Sequence, residues 1–353
     1  MEPFIMEITV PSLLRIKPDA LFKIGKYLRN EGLSSIALFF GEGIRDLFER
    51  TIRISLESSE INVVHEEIVT DNAIEKVFES TFAIPGKARA IVAIGGGKAV
   101  DYCKYIAFLS HLPVISIPTS ISNDGFASPV SSLLVKGRRK SLKTVIPTGV
   151  IVDTAIIKNA PSHYVLSGIG DLVSNITAVR DWKLAFKHNG EYVNDFSVLV
   201  SMNAADNVIN HPTHDITDTG FLGVLSGALV MSGVAMEIAG TSRPASGGEH
   251  LVSHAYDKLA KAPSLHGVQV GVATILAARL QGERVEQIVR VLERCGFLDL
   301  VRSRPLDRAD LVRAIEEAPY IKENYYTIFS EKEKREEARD LLETDALLKE
   351  LTV

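Results

Sequence analysis

Three of the nine histidines lie in the stretch 246–271, SGGEHLVSHAYDKLAKAPSLHGVQVG. His250 and His254 are four residues apart, which places them on one face of a helix, and His266 follows after a short polar turn. Imidazoles spaced in this way, with a Glu and an Asp among them, can hold a divalent metal, act as general acids and bases, or form an ordinary polar stripe on a helix. The spacing alone leaves all three interpretations open.

Composition restricts the class of protein before any element is assigned. A chain of 353 residues is too long for one simple core, so two domains are expected. With 46% apolar and 24% charged residues, the chain is typical of a globular protein. A net charge of −5 argues against nucleic-acid binding, which needs a basic face. Two cysteines far apart in sequence predict no disulfide framework and fit a reducing, cytoplasmic compartment.

Two segments bear on membranes and export. The first twenty residues contain acidic side chains and no long apolar run, which predicts no secretory signal. Residues 220–240, GFLGVLSGALVMSGVAMEIAG, are almost free of charge but rich in Gly and Ser. Small residues allow close helix packing, so this segment is predicted to be a buried helix of a helical domain, and no membrane insertion is expected.

Apolar β-branched runs alternate with helical patterns in the first half of the chain. This alternation predicts parallel βαβ units in a doubly wound sheet, with strands that are apolar throughout because helices cover both faces. A hairpin is expected around KGRRK and a further strand at GVIVDT. From Pro161 onward only helical periodicities are found, which predicts an α/β domain over 1–160 and an all-helical domain over 161–353. The main predicted strands are 34–40, 61–68, 88–97 and 112–120.

Two loops follow predicted strands at what should be the ligand-binding edge of the sheet. The glycines at 95–97 come between a strand and a helix, where the absence of Cβ atoms and the free N–H groups of the helix suit a phosphate. A tight strand-to-helix turn explains the same residues. The next strand ends in IPTSISNDGFASPVSS, which is rich in hydrogen-bonding groups and equally typical of turns.

Six motifs occur in a distinctive order: GGGKAVD, PTSISNDGFASPVSS, GVIVD, GIGD, SRPASGGEHLVSH and SLHGVQVG. Together they resemble the sn-glycerol-1-phosphate dehydrogenase family, within the superfamily of iron-containing alcohol dehydrogenases, glycerol dehydrogenases and 3-dehydroquinate synthases. The resemblance covers about residues 90–275. It implies an N-terminal Rossmann-like domain that binds a nicotinamide cofactor and a C-terminal helical domain that binds metal.

The resemblance also implies roles for individual residues. The metal ligands would be Asp171, His250 and His266, which form the N/O donor set of a catalytic zinc site, with nickel or iron as alternatives. Asp124 and His254 would contact the substrate as catalytic residues. The residues expected around the cofactor are Gly96, Gly97, Lys98, Asp101, Thr119, Ser122 and Ser128.

Several of these residues have simpler explanations. Asp171 could be the N-cap of a helix beginning at Leu172, and His266 could be a loop histidine. Arg243 resembles a basic residue that related enzymes use for a substrate phosphate, and guanidinium suits phosphate geometry, but it could be a surface arginine. Lys143 is a second candidate for the phosphate. Val268 stands where an acidic residue is frequent in the family, which leaves the metal open.

The resemblance predicts a metal-dependent oxidoreductase that interconverts dihydroxyacetone phosphate and sn-glycerol 1-phosphate with NAD or NADP. Such an enzyme would supply the glycerophosphate backbone of membrane lipids and act as a homo-oligomer on a small phosphorylated substrate. Glu42 after the first predicted strand favours NAD, because a carboxylate there can bind the ribose hydroxyl. The alternatives are a glycerol or polyol dehydrogenase, a dehydroquinate-synthase-like lyase, and a nucleotide-binding relative without turnover.

Overall fold

The computed structural model describes residues 8–353, which form two compact units. The first, the α/β unit, contains the chain up to Ile121 and Gly125–Ala160. The second, the helical unit, contains Ser122–Asp124 and Pro161–Val353. The expectation of no secretory signal rests partly on residues 1–7, which lie outside the described residues.

The α/β unit is built on a parallel sheet. Its strands are β1 Leu13–Lys17, β2 Ser35–Gly41, β3 Asn62–Val69, β4 Ala90–Gly95, β5 Val114–Pro118, β6 Val130–Val135, β7 Arg138–Lys143 and β8 Gly149–Asp153. Six of them pair in parallel in the order β1-β8-β5-β4-β2-β3, while β6 and β7 form a separate antiparallel hairpin. Its helices are α1 Ile24–Asn30, α2 Ile44–Glu57, α3 Ile74–Ala83, α4 Gly97–Ser110 and α5 Thr154–Asn159. This confirms the doubly wound fold and the hairpin predicted around KGRRK.

The centre of the sheet contains its topological switch point. After β2 the chain continues to β3 on one side, and after β4 it continues to β5 on the other. Gly41 ends β2 and Gly95 ends β4, and a Cβ atom on Gly95 would lie 3.0 Å from the Gly41 nitrogen. Glycine therefore lets the two strand ends approach each other where open α/β sheets bind their ligands.

The edge strand β1 was not predicted from the sequence. Leu13–Lys17 reads LLRIK, and of its five residues only Leu13 is buried. Because β1 pairs with β8 alone, it needs neither the continuous apolar run nor the strict alternation by which the inner strands were recognised.

The second unit is helical, as the change of pattern after Pro161 predicted. Within the described residues 161–353 the only strand-like pairing is an isolated bridge between Leu306 and Thr352. The helices are α6 Ser162–Val173, α7 Asn175–Asn189, α8 Asp195–Ile209, α9 Thr219–Ala239, α10 Gly248–Leu259, α11 His266–Gln281, α12 Val285–Arg294, α13 Phe297–Ser303, α14 Arg308–Glu317, α15 Lys332–Thr344 and α16 Ala346–Leu351.

Helix α9 is the apolar segment that raised the question of a membrane span. It is the one described helix that is long and apolar enough to cross a bilayer, and 67% of its most apolar window is buried inside the protein. It begins at Asp218, whose carboxylate accepts the N–H of Phe221, and packs along α8. These contacts are those of a core helix, as the sequence predicted.

Helices α6 and α11 cross at glycines. A Cβ atom on Gly267 would lie 1.9 Å from the carbonyl oxygen of Ser167, and one on Gly170 would lie 2.2 Å from the carbonyl oxygen of Gly267. Backbones can approach so closely only where both positions lack a Cβ atom. The crossing brings the C-terminal end of α6, with Asp171, next to the first turn of α11, which begins at His266.

Replacement of Gly267 by alanine should therefore separate the two helices. We expect Gly267→Ala to lower the free energy of unfolding by about 3 kcal/mol or more, because the added methyl group meets backbone. Gly223→Ala is the matched control, since its Cβ atom meets nothing within 4 Å inside α9; it should be neutral or stabilise by up to about 1 kcal/mol. Urea unfolding of the metal-free chains measures both, and equal effects would contradict the importance of the crossing.

Candidate metal and substrate site

A carboxylate and two imidazoles converge in the helical unit. Nε2 of His250 lies 3.4 Å from Oδ1 of Asp171, and Nε2 of His266 lies 3.6 Å from the same oxygen. The three potential ligand atoms are all within 4.8 Å of one another. In the part of the chain that the structure describes, these residues are the one such group found. A single divalent ion could contact all three.

The buried carboxylate itself fits a metal. Asp171 is 4% exposed, and its Oδ1 is buried with no hydrogen-bond donor among the described residues. Its Oδ2 accepts the backbone N–H of Asp124 at 3.0 Å. A buried carboxylate oxygen without a donor is costly, and a cation beside it removes that cost. Asp171 lies inside α6, so the alternative that it caps a helix beginning at Leu172 is wrong.

The hydrogen bonds around His266 place its proton on Nδ1. The side-chain nitrogen of Gln269 donates to Asp257 and to the carbonyl of Ser264, so its oxygen faces Ser253. The Ser253 hydroxyl donates to that oxygen at 2.8 Å and accepts from Nδ1–H of His266 at 3.1 Å. With the proton on Nδ1, Nε2 is the acceptor nitrogen of the neutral ring, which is the form in which an imidazole nitrogen binds a metal.

Glu249 supports His250 in the same way. Its Oε1 accepts from Nδ1 of His250 at 3.0 Å and from the backbone N–H of Gly247. Its Oε2 accepts the Thr177 hydroxyl at 2.9 Å, and the residue is fully buried. A carboxylate behind a ligating imidazole fixes the ring and increases its basicity. The sequence analysis passed over Glu249, although it adjoins His250 in the GGEH motif.

A second buried carboxylate, Asp181, lies beside Glu249. It accepts the backbone N–H groups of Gly248 and Ile328 and the side chain of Gln281. Burial, and then the charge of Glu249, raises the pKa of Asp181 to about 7. A Cβ atom on Gly247 would lie 2.8 Å from Oε2 of Glu249 and 3.0 Å from Oδ2 of Asp181. The two carboxylates therefore leave little room for a side chain at this position of the GGEH motif.

In the metal-free cluster, the surroundings raise the pKa of His250 and lower the pKa of His254. Burial alone would lower the pKa of His250, but the neighbouring carboxylates of Asp171 and Glu249 raise it to about 10. Burial would raise the pKa of Asp171, and the neighbouring imidazoles lower it. Burial lowers the pKa of His254 well below 6.5, and His266 and His250 lower it further. His254 is therefore a neutral imidazole at neutral pH.

The two predicted catalytic residues both adjoin this cluster. His254 lies one helical turn after His250, and its ring stacks on that of His266 at a centroid distance of 5.6 Å, outside the group of three ligands. Asp124 donates its backbone N–H to Asp171, and its Oδ2 accepts the Ser232 hydroxyl at 2.8 Å. The structure thus brings Asp124, His254 and the three predicted ligands together.

Arg243 does not lie as the sequence analysis expected. It is fully buried, and its guanidinium is paired with both carboxylate oxygens of Glu191. It also donates to the carbonyl of Tyr326 and lies over the ring of Tyr325. These contacts use Nε, Nη1 and Nη2 and leave the residue without exposed surface, which argues against a direct role in binding a substrate phosphate. Lys143, the second candidate, is exposed on β7 of the α/β unit.

The predicted cofactor residues fall into three groups: those at the start of α4, those after β5, and those around a buried lysine. Gly96 and Gly97 start α4, whose N-terminus has no side-chain cap, and Lys98 donates to the Thr70 carbonyl. Thr119 follows β5 and donates its N–H to Gly95. Ser122 belongs to the helical unit, where its carbonyl accepts from Ser167.

Asp101 and Ser128, the third group, both contact a lysine that the sequence analysis did not select. Lys104 is fully buried, with its ammonium 3.1 Å from Asp101 Oδ1 and 3.1 Å from the Ser128 carbonyl. It also donates to the carbonyls of Gly125 and Val130. Burial raises the pKa of Asp101, and Lys104 opposes this. In the structure both residues therefore order the loop 125–130.

Removal of the Glu249 charge should weaken metal binding. We expect Glu249→Gln to lower the affinity for zinc by about 10- to 100-fold, because the ring of His250 loses its charged partner. In the metal-free chain the change relieves repulsion between Glu249 and Asp181 but also removes a charge that stabilises protonated His250, so circular dichroism should check that the variant is folded. Competition with a chromogenic chelator measures affinity, and Glu286→Gln on the exposed side of α12 is the control. An unchanged affinity in Glu249→Gln would contradict the role given to Glu249.

Metal affinity should also depend on pH. Because the pKa of His250 is raised to about 10 in the metal-free site, the metal must displace a proton at any lower pH. Apparent affinity should rise by about tenfold per pH unit from about pH 6 to about pH 9. The stability of the metal-free chain runs the other way: the contribution of His250 is complete below its ordinary pKa of 6.5 and is lost as the pH rises toward 10. An affinity that is flat with pH would contradict this assignment.

Known proteins resemble the chain in both sequence and structure. A family model described as iron-containing alcohol dehydrogenase matches residues 15–161. A protein of Pyrococcus furiosus named glycerol-1-phosphate dehydrogenase (NAD(P)+) is 37% identical over 298 residues, which is 84% of this chain and 85% of that protein. A protein of the same name from Nitrosopumilus maritimus is 34% identical, covering 94% of each chain.

Solved structures share the fold at low sequence identity. Glycerol dehydrogenase from Schizosaccharomyces pombe superposes with a TM-score of 0.79 at 18% identity, covering 98% of this chain and 90% of that one. Sulfoacetaldehyde reductase from Bifidobacterium kashiwanohense, solved with NAD+, gives a TM-score of 0.71 at 17% identity, covering 96% and 99%. The structures establish the fold alone, and the sequence relatives establish the family. The chain belongs to the glycerol-1-phosphate dehydrogenase family.

Proposed function

We propose that the protein interconverts dihydroxyacetone phosphate and sn-glycerol 1-phosphate with a nicotinamide cofactor. The observation that carries the proposal is the buried cluster of Asp171, His250 and His266, with Asp124 and His254 beside it. The curated relatives named above support the choice of substrate through their names. The reduction direction would supply glycerophosphate for lipid synthesis.

The site residues would divide the work between holding a metal and handling the substrate. Asp171 and the Nε2 atoms of His250 and His266 would hold a divalent ion, zinc, nickel or iron, which supplies positive charge that polarises the reacting carbonyl. Glu249 and Ser253 keep the two rings oriented through their Nδ1 atoms. The substrate then needs only orientation and a proton from the protein, because the cofactor supplies the hydride chemistry.

Orientation and proton transfer fall to the two remaining residues. Asp124 is fixed by its own N–H on Asp171 and by the Ser232 hydroxyl on its carboxylate, so it can accept a hydrogen bond from a substrate hydroxyl in a defined direction. The neutral imidazole of His254 has one N–H donor and one acceptor nitrogen. It can therefore relay a proton: one nitrogen gives its hydrogen to the reacting oxygen while the other takes one from water, so the ring stays neutral.

Binding of the dinucleotide would use the edge of the parallel sheet. The uncapped N-terminus of α4 offers N–H groups to a pyrophosphate, and the space where a Cβ atom of Gly97 would stand is open. We propose that Gly96, Gly97 and Lys98 take the pyrophosphate, with Thr119 and Ser122 at its side. Asp101 and Ser128 would act indirectly, through the loop that Lys104 orders.

The setting of the enzyme is part of the same proposal. Two buried free cysteines and a mostly buried α9 are compatible with a cytoplasmic enzyme that acts on a small molecule. We propose that it acts as a homo-oligomer, as the family resemblance implies. Both NAD and NADP are candidates, and Glu42 after β2 favours NAD.

The test is the oxidation of NADH by the metal-loaded protein, followed at its absorbance with dihydroxyacetone phosphate, dihydroxyacetone and glycerol in parallel. We expect dihydroxyacetone phosphate to be reduced with the highest kcat/KM and the metal-free protein to be inactive. A preference for the unphosphorylated compounds would indicate a polyol dehydrogenase. No net change in NADH with any metal or substrate would rule out the dehydrogenase and favour a lyase.

A further inference from the structure

Two cations share one aromatic ring near the start of α10. The guanidinium of Arg243 lies 3.5 Å from the centroid of the Tyr325 ring, and the ammonium of Lys322 lies 3.8 Å from the same centroid. Lys322 also donates to the Ser242 hydroxyl at 3.3 Å. Tyr325 is itself fixed, since its hydroxyl donates to the carbonyl of Ser246. The ammonium is thus held in place by the loop that leads into α10.

The group formed by Arg243, Lys322, Tyr325 and Glu191 carries more positive than negative charge. Glu191 is the carboxylate at this place, and its two oxygens are taken by Arg243. Lys322 makes no ion pair with a carboxylate of the described residues. Although Lys322 as a residue is exposed, the surrounding protein desolvates its ammonium, and together with Arg243 this lowers its pKa to about 8. Two cations against one carboxylate leave a surplus of one positive charge, which an anion would neutralise.

The surplus charge lies beside the segment that leads into α10. The segment from Ser242 to Ser246 runs directly into α10, whose first two turns carry His250 and His254. Lys258 is an exposed residue in the last turn of the same helix and serves as the comparison.

We propose that Lys322, positioned by Ser242 and the Tyr325 ring, binds the phosphate group of the substrate. The inference rests on the proposed function, since it identifies the residue that selects the phosphorylated substrate there. Arg243 contributes without touching the phosphate: it holds Tyr325 and Glu191 in place and keeps the local charge positive. Ammonium suits this task because it is a compact charge with three donors, of which Ser242 uses one.

The experiment compares Lys322→Met with wild type and with Lys258→Met, which removes an exposed lysine from the last turn of α10. For each we measure kcat and KM with dihydroxyacetone phosphate and with dihydroxyacetone. In Lys322→Met the preference for the phosphorylated compound, as a ratio of kcat/KM values, should fall by about tenfold or more through a higher KM. Lys322→Arg should recover part of the loss, and Lys258→Met should match wild type. An unchanged ratio in Lys322→Met, or a loss in Lys258→Met instead, overturns the proposal.

A second measurement separates this inference from the proposed function. Calorimetric titration of inorganic phosphate into the metal-loaded protein needs no turnover. Weaker binding of phosphate to Lys322→Met than to Lys258→Met supports the phosphate site even if NADH oxidation fails. Equal binding to wild type and Lys322→Met overturns it even if the enzyme reduces dihydroxyacetone phosphate.

Discussion

The candidate site depends on the contact between two helix backbones. Where α6 and α11 cross, Gly170 and Gly267 let the chains approach to a distance that any side chain would prevent. Asp171 is the next residue after one glycine and His266 is the residue before the other. The geometry of a carboxylate facing an imidazole is therefore set by main chain against main chain, which is the least adaptable part of a protein interior. The GIGD and LHG motifs combine a ligand with the glycine that positions it.

Buried carboxylates are concentrated around His250 and the start of α10. Two buried carboxylates, Glu249 and Asp181, accept hydrogen bonds from N–H groups at the start of α10, from the backbone of Ile328 and from the side chains of Thr177, Gln281 and His250. The negative charge behind His250 compensates for a divalent ion held by only one carboxylate ligand. The arrangement supports His250 rather than His254 as a candidate ligand, since the carboxylate of Glu249 lies behind His250.

Much of the fold and of the candidate site could be predicted from the sequence. The features that could not be predicted share a physical cause. Alternating apolar strands and helical periodicities gave the class of fold, because burial of a whole strand or a helix face leaves a repeating pattern. The ligands followed from motifs in a fixed order. The edge strand β1, the buried Lys104 and the pairing of Arg243 with Glu191 left no such pattern. The Arg243 partner lies about fifty residues away, and a charged residue does not reveal from its own position whether it will be buried.

The segment Ser122–Asp124 belongs to the helical unit, while the chain on both sides of it belongs to the α/β unit. Its last residue provides the N–H that satisfies Oδ2 of Asp171. The helical unit is therefore not one continuous segment, even though most of it runs on from Pro161. A recombination event joined at residue 161 would transfer all three candidate ligands and still leave one oxygen of Asp171 without the N–H of Asp124.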